Sequence, residues 1–81
     1  DNTLKVLGCS FEEFKIHIES LWESWMNWNN YGVYIVNEQT WQIDHIIPIS
    51  SAKTKKDVIR LNHFSNLRPL CSKENNLKSN N

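Results

Sequence analysis

An α+β fold is predicted, with an N-terminal helix packed on a smaller unit of two strands and a closing helix. Three observations predict it. Residues 11–28 place apolar side chains three and four apart, behind a capping box. Residues 33–43 and 67–70 are β-prone or extended. Ser72 stands where it can cap a last helix running through Lys73, Asn75, Asn76 and Lys78.

The elements follow in order. Ser10-Phe-Glu-Glu13 opens the first helix, because the Ser hydroxyl and the Glu13 carboxylate satisfy exposed amide donors. Phe11, Phe14, Ile18, Leu21, Trp22 and Trp25 then share one helical face, and the pattern continues to Trp28. Glu12, Lys15, Glu19 and Glu23 fall elsewhere, and Asn29-Asn30-Tyr31-Gly32 is the turn-rich cluster expected to stop the helix. The tryptophans are read as core, and His17 as a helix residue only. Val33-Tyr-Ile-Val36 and Thr40-Trp-Gln-Ile43 read as a hairpin or two short strands. Ser50-Ser51-Ala52-Lys53 is a loop. Thr54-Lys-Lys-Asp57 starts a short helix that carries Val58, Ile59 and Leu61 and ends near Asn62-His63. Leu67-Arg-Pro-Leu70 is extended, and Pro69 confines it to a sheet edge. Residues 79–81 are expected to fray. The division expected is a helical leader over 1–32 and a core over 33–81, in a single domain 1–81.

Eighty-one residues make one small domain. A content of 40 % hydrophobic and 22 % charged residues fits a globular chain, and no apolar run reaches the length of a membrane span. No signal peptide is visible, and the start at Asp1 suggests a piece of a longer polypeptide. The net charge is zero but unevenly placed. Residues 1–40 hold two basic against six acidic side chains, a net of −4; residues 41–81 hold seven against three, a net of +4. The basic half is the one a phosphate-bearing partner would meet. Its candidates for phosphate are the loop cluster Lys53, Lys55 and Lys56, together with Arg68, Lys73 and Lys78.

Cys9 and Cys71 do not make a disulfide framework. A zinc site from Cys9, His17, His63 and Cys71 lacks the usual short ligand pairs, so free thiols are expected and structural zinc is not. His63 reads as a structural hydrogen-bonding residue.

Chemistry concentrates in three stretches. These are Trp41-Gln-Ile-Asp-His-Ile-Ile-Pro48, Asn66-Leu-Arg-Pro-Leu70 and Lys73-Glu-Asn-Asn-Leu-Lys78. Two ionisable groups, Asp44 and His45, interrupt an apolar run, and buried polar pairs of that kind need a partner. Asn75 follows Asn66 by nine residues. The three stretches together resemble the HNH endonuclease motif, in a form where the last His is Asn. Residues 41–78 carry the resemblance in detail. Upstream, Leu7-Gly-Cys-Ser-Phe-Glu-Glu-Phe14 and Asn30-Tyr-Gly32 look like the leader of phage-type HNH enzymes. The family's Cys-x-x-Cys knuckle is missing, since Glu74 follows Cys71 by three positions.

The resemblance implies a ββα-metal (HNH, His-Me finger) core beneath the N-terminal helix. It implies Asp44 and Asn75 as ligands of one Mg²⁺ or Mn²⁺ ion, His45 as general base, and Asn66 as the residue that fixes the loop orienting the base. It further implies hydrolysis of DNA, double-stranded, to 5′-phosphate and 3′-hydroxyl ends by a one-metal mechanism. An additional recognition module upstream and action in the cytoplasm of a bacterial or phage-infected cell are part of the same expectation. Two alternatives are kept. One is a catalytically silent nucleic-acid-binding module, and the other a toxin-type nuclease with an immunity partner.

Overall fold

The computed structural model describes residues 2–79. Its elements are α1 (Asn2–Leu7), α2 (Phe11–Ser20), β1 (Trp41–His45), α3 (Lys55–Leu61), β2 (Leu67–Cys71) and α4 (Ser72–Ser79), with 3₁₀ turns at Trp28–Asn30, Ile49–Ser51 and Phe64–Asn66. Helices and a two-stranded antiparallel sheet make the fold α+β. Among the described residues no helix is long and apolar enough to cross a membrane. The expected fraying lies mostly outside the described residues.

The capping box holds. Glu13 N donates to Ser10 Oγ and Ser10 N to Glu13 Oε1, both at 3.1 Å. α1, which periodicity did not announce, turns into α2 through Gly8 at φ +76°. A side chain at Gly8 would be strained by that φ and would collide with the His63 ring.

The sheet pairs Trp41 with Cys71, Gln42 with Leu70, Ile43 with Pro69, Asp44 with Arg68 and His45 with Leu67. Just beyond its ends, Ile46 N donates to Asn66 O and Ser72 N to Thr40 O, each at 2.9 Å. Counting inward from both, the hydrogen-bonded pairs are 44↔68 and 42↔70. Pro69 therefore sits at a position that needs no N–H, which is how a proline enters this ladder. The alternation also splits β1 by face. Trp41 and Ile43 pack with Ile18, Phe14, Trp22, Trp25 and Met26 on the α2 side. Gln42 and Asp44 meet Asn75 and Lys78 on the α4 side.

Trp41 is the centre of the core. It is fully buried, its indole N–H donates to Asn27 O at 2.7 Å, and the rings of Trp22, Trp28 and Tyr31 surround it at 4.8–5.8 Å between centroids. That packing corrects the expected length of the first helix, which closes at Ser20 rather than near Asn29. Continuing at 1.5 Å per residue, a helix would carry Trp22, Trp25 and Trp28 away along its axis. The chain instead folds back so that Trp22 and Trp28 meet the Trp41 ring and Trp25 packs on the same core, with Asn27 and Asn30 capping the turn at Trp28–Asn30 reciprocally. One cost remains: the Trp22 indole N–H is buried without a hydrogen-bond partner.

The expected hairpin is corrected too. Residues 33–36 form no strand, and Val33 and Val36 stay about two-thirds exposed. Gly32 N donates to Trp41 O at 2.9 Å, and the chain then leaves β1 through a turn with Asn37 at φ 70°. β-branched residues favour a strand only where a buried face rewards them, and this segment has none. Ser72 departs from its expected cap: its buried hydroxyl donates to Gly32 O at 2.6 Å. His17 does more than expected. Its Nε2 donates at 2.9 Å to Leu67 O, a carbonyl left free by the non-hydrogen-bonded 45↔67 pair, and so ties α2 to β2.

Candidate functional site

A cleft of about 490 Å³ opens at the end of β1, lined by Ile43, Asp44, His45, Pro48, Ile49, Ser50, Asn75 and Lys78. Three residues singled out in the sequence for the reaction, Asp44, His45 and Asn75, thus share one wall-to-wall space.

Asp44 is 6 % exposed. Two cations hold it there. Arg68, its cross-strand partner, donates from Nε to Oδ2 at 2.9 Å. Lys78 reaches down from α4 with Nζ 2.9 Å from Oδ1 and 3.0 Å from Oδ2. Arg68 and Lys78, read in the sequence as phosphate contacts, are therefore engaged on this carboxylate, though each side chain keeps more than a third of its surface exposed.

His45 is oriented by a residue that sequence reasoning missed. Asn62, at the C-terminal end of α3, donates from Nδ2 to Val58 O at 2.9 Å. That bond settles which end of the amide faces the imidazole: His45 Nε2 donates to Asn62 Oδ1 at 2.8 Å. A neutral ring with its proton on Nε2 carries its lone pair on Nδ1. Nothing local in the sequence links positions 45 and 62. Asn62 reads there as a helix end, and its second role needs the fold.

Asn66 secures the stretch between the strands. Its Nδ2 donates to Leu61 O at 2.7 Å and Ile47 O at 3.1 Å, and its Oδ1 accepts the Ile47 amide at 2.8 Å. One buried side chain so joins the end of α3 to the residues just after His45. Asn75 donates from Nδ2 to Gln42 Oε1 at 2.9 Å, which leaves its amide oxygen as the available donor to a cation. Gln42 is the second residue the sequence did not flag.

The oxygen donors lining the cleft are the Asp44 carboxylate, the Asn75 amide and the Ser50 hydroxyl. They are hard ligands of the kind Mg²⁺ and Mn²⁺ accept, so the donor chemistry fits such an ion. Among the described residues no three of His, Cys, Asp and Glu gather to hold a metal. Cys9 lines a separate cleft with Glu13, His17 and Phe64, and burial, aided by the Glu13 carboxylate, pushes its thiol up, away from the thiolate form. His63 accepts the Ser65 amide at 3.2 Å and so serves the turn at Phe64–Asn66. Lys53, Lys55, Lys56 and Lys73 are exposed and outside the cleft lining.

No family model matches the chain, and no solved structure matches it. Over 75 residues, 90 % of this chain, it is 32 % identical to an uncharacterized protein of Acanthamoeba polyphaga mimivirus. The chain spans about 30 % of that relative's length.

Proposed function

We propose that this chain is a metal-dependent DNA endonuclease of the HNH type, with β1, β2 and α4 as its ββα-metal core. The observation that carries the reading is the meeting of Asp44, His45 and Asn75 in one cleft, with the imidazole held by Asn62 as the Nε2–H tautomer. Asp44 and the amide oxygen of Asn75 would hold one Mg²⁺ or Mn²⁺ ion. When bound, such an ion stabilises the negative charge that builds on the phosphate and the leaving oxygen.

The chain's own groups supply the rest. His45 takes the proton from the attacking water on Nδ1, while Asn62 Oδ1 steadies the positive charge the ring acquires. Asn66 keeps His45 from swinging, because Ile46 and Ile47 are bonded to its carbonyl and side chain. Exposed Lys53, Lys55, Lys56 and Lys73 would meet the backbone of double-stranded DNA without reading its bases. Action in the cytoplasm and a recognition module elsewhere in a longer polypeptide remain part of this proposal.

One observation favours the binding-only alternative: both oxygens of Asp44 already face cations. The test is nicking of supercoiled plasmid with Mg²⁺, with Mn²⁺ and with excess EDTA. Metal-dependent nicks that DNA ligase can seal, the mark of 5′-phosphate and 3′-hydroxyl ends, are expected. DNA binding without nicking in either metal would establish the silent module instead.

A further inference from the structure

Lys78 is more than a neighbour of Asp44. It lies three residues after Asn75 on α4, and its ammonium sits against three oxygens: Asp44 Oδ1 at 2.9 Å, Asp44 Oδ2 at 3.0 Å and the His45 carbonyl at 3.0 Å. The His45 carbonyl is open to it because the 45↔67 pair is not hydrogen-bonded. Three acceptors saturate an ammonium. All are hard oxygens, the donor type a divalent ion takes.

We infer that Lys78 is an internal counter-ion that stands in for the metal, so that the ammonium and a divalent ion compete for Asp44. The inference rests on the metal assignment proposed above. Burial supplies the reason for such a device. A carboxylate 6 % exposed is costly to leave without compensating cations, and the metal-free protein sets two against it, with Lys78 on the oxygen that Arg68 does not reach. The two cations present differ in how easily they leave. Arg68 is planted directly across the ladder from Asp44 and makes its bond from Nε. Lys78, as exposed as Arg68, is a point charge on a flexible four-carbon stem that reaches Asp44 from another element, α4. Displacement moves Lys78 and leaves Arg68 in place.

Two measurements test this on the 81-residue chain. Calorimetry compares Mn²⁺ binding by the wild type and by Lys78→Met, which keeps the stem and removes the charge. The variant should bind about tenfold tighter or more, the scale of one charge-assisted hydrogen bond to a buried carboxylate. In the wild type, Mg²⁺ titration should move the Lys78 Cε–Hε NMR signal toward that of a free lysine, a readout that needs no variant to fold. Equal or weaker Mn²⁺ binding by Lys78→Met, with an unmoved Lys78 signal, overturns the inference and leaves the metal assignment standing. If neither protein binds Mn²⁺, the metal assignment falls and the inference with it.

Discussion

Asn66 grips Ile47 by both polar atoms of its backbone: Oδ1 accepts the amide at 2.8 Å, and Nδ2 donates to the carbonyl at 3.1 Å. The same Nδ2 reaches Leu61 O at 2.7 Å. Replacing Asn66 by Ala removes three bonds at a 9 % exposed position. At about 0.5–1.5 kcal/mol net for each, and with Ile47 half-exposed so that water offsets part of the loss, Asn66→Ala should cost about 1–3 kcal/mol. Urea unfolding measures it, and a loss below about 0.5 kcal/mol would show that the loop holds itself.

The tautomer of His45 is the next expectation. In the neutral protein, ¹⁵N NMR should show the proton on Nε2, with Nδ1 bare. Asn62→Ala should let both tautomers appear and lower the nicking rate by about tenfold, less than the roughly 10²-fold or greater loss expected for His45→Ala. An unchanged tautomer ratio in Asn62→Ala would remove Asn62 from the site.

Metal binding should depend on both ends of the cleft. Asp44→Ala should abolish Mn²⁺ binding by calorimetry, and Asn75→Ala should weaken it. The roles assigned to these two residues would not survive Mn²⁺ affinities equal to wild type in both variants.

Acid should loosen two helix starts. A bond from the Ser10 amide, then one from its hydroxyl, hold the Glu13 carboxyl below its ordinary range. At α3 the Lys53 amide, then the Arg60 guanidinium, do the same for Asp57. A carboxyl whose folded pKa is depressed adds stability that is fully present above its unfolded pKa, about 4, and lost as pH falls through the lower folded value. The urea midpoint should therefore drop from pH 6 to pH 2.5, and Glu13→Gln with Asp57→Asn should flatten that drop. An equally steep drop in the double variant would place the acid sensitivity elsewhere.

DNA affinity should be modest, fall with salt, and depend on the basic half. Reversing Lys53, Lys55 and Lys56 to Glu should weaken binding to all sequences about equally, and reversing Lys5 and Lys15 should do much less. Equal losses in a filter-binding or anisotropy titration would mean that the acidic half also faces DNA.

What the sequence disclosed was local. Ser10 with Glu13, and Thr54 with Asp57, are read within one turn, and both caps form. The strand–helix succession from Leu67 to Ser79 follows from Pro69 and the polar run after it. What stayed hidden was set by distant partners. The periodicity from Phe11 to Trp28 is the same for a helix and for a chain folded around Trp41, so the stop at Ser20 had no mark. Val33 to Val36 had the composition of a strand but no face to bury. Of the cleft and the residues that support it, Asp44, His45, Asn66 and Asn75 were visible as a spaced motif. Asn62 and Gln42 were not, since each acts across a gap of 17 or 33 residues on a partner in another element.

The bond pair from Asn66 to Ile47 and Leu61 has a consequence for how the chain can change length. It draws together the two ends of the segment 48–60, so those residues form a closed excursion whose base is pinned by one side chain. Doubling such a loop costs only about 0.6 kcal/mol in closure entropy. Added residues between Ser51 and Thr54 would lengthen the excursion at its exposed tip and leave β1, β2 and α4 where they are. A single residue inserted within Trp41–His45 would instead exchange the two faces of the strand, sending Asp44 toward the tryptophans and His45 toward α4. The chain is thus free to acquire new sequence beside its cleft, at a place where growth does not disturb register.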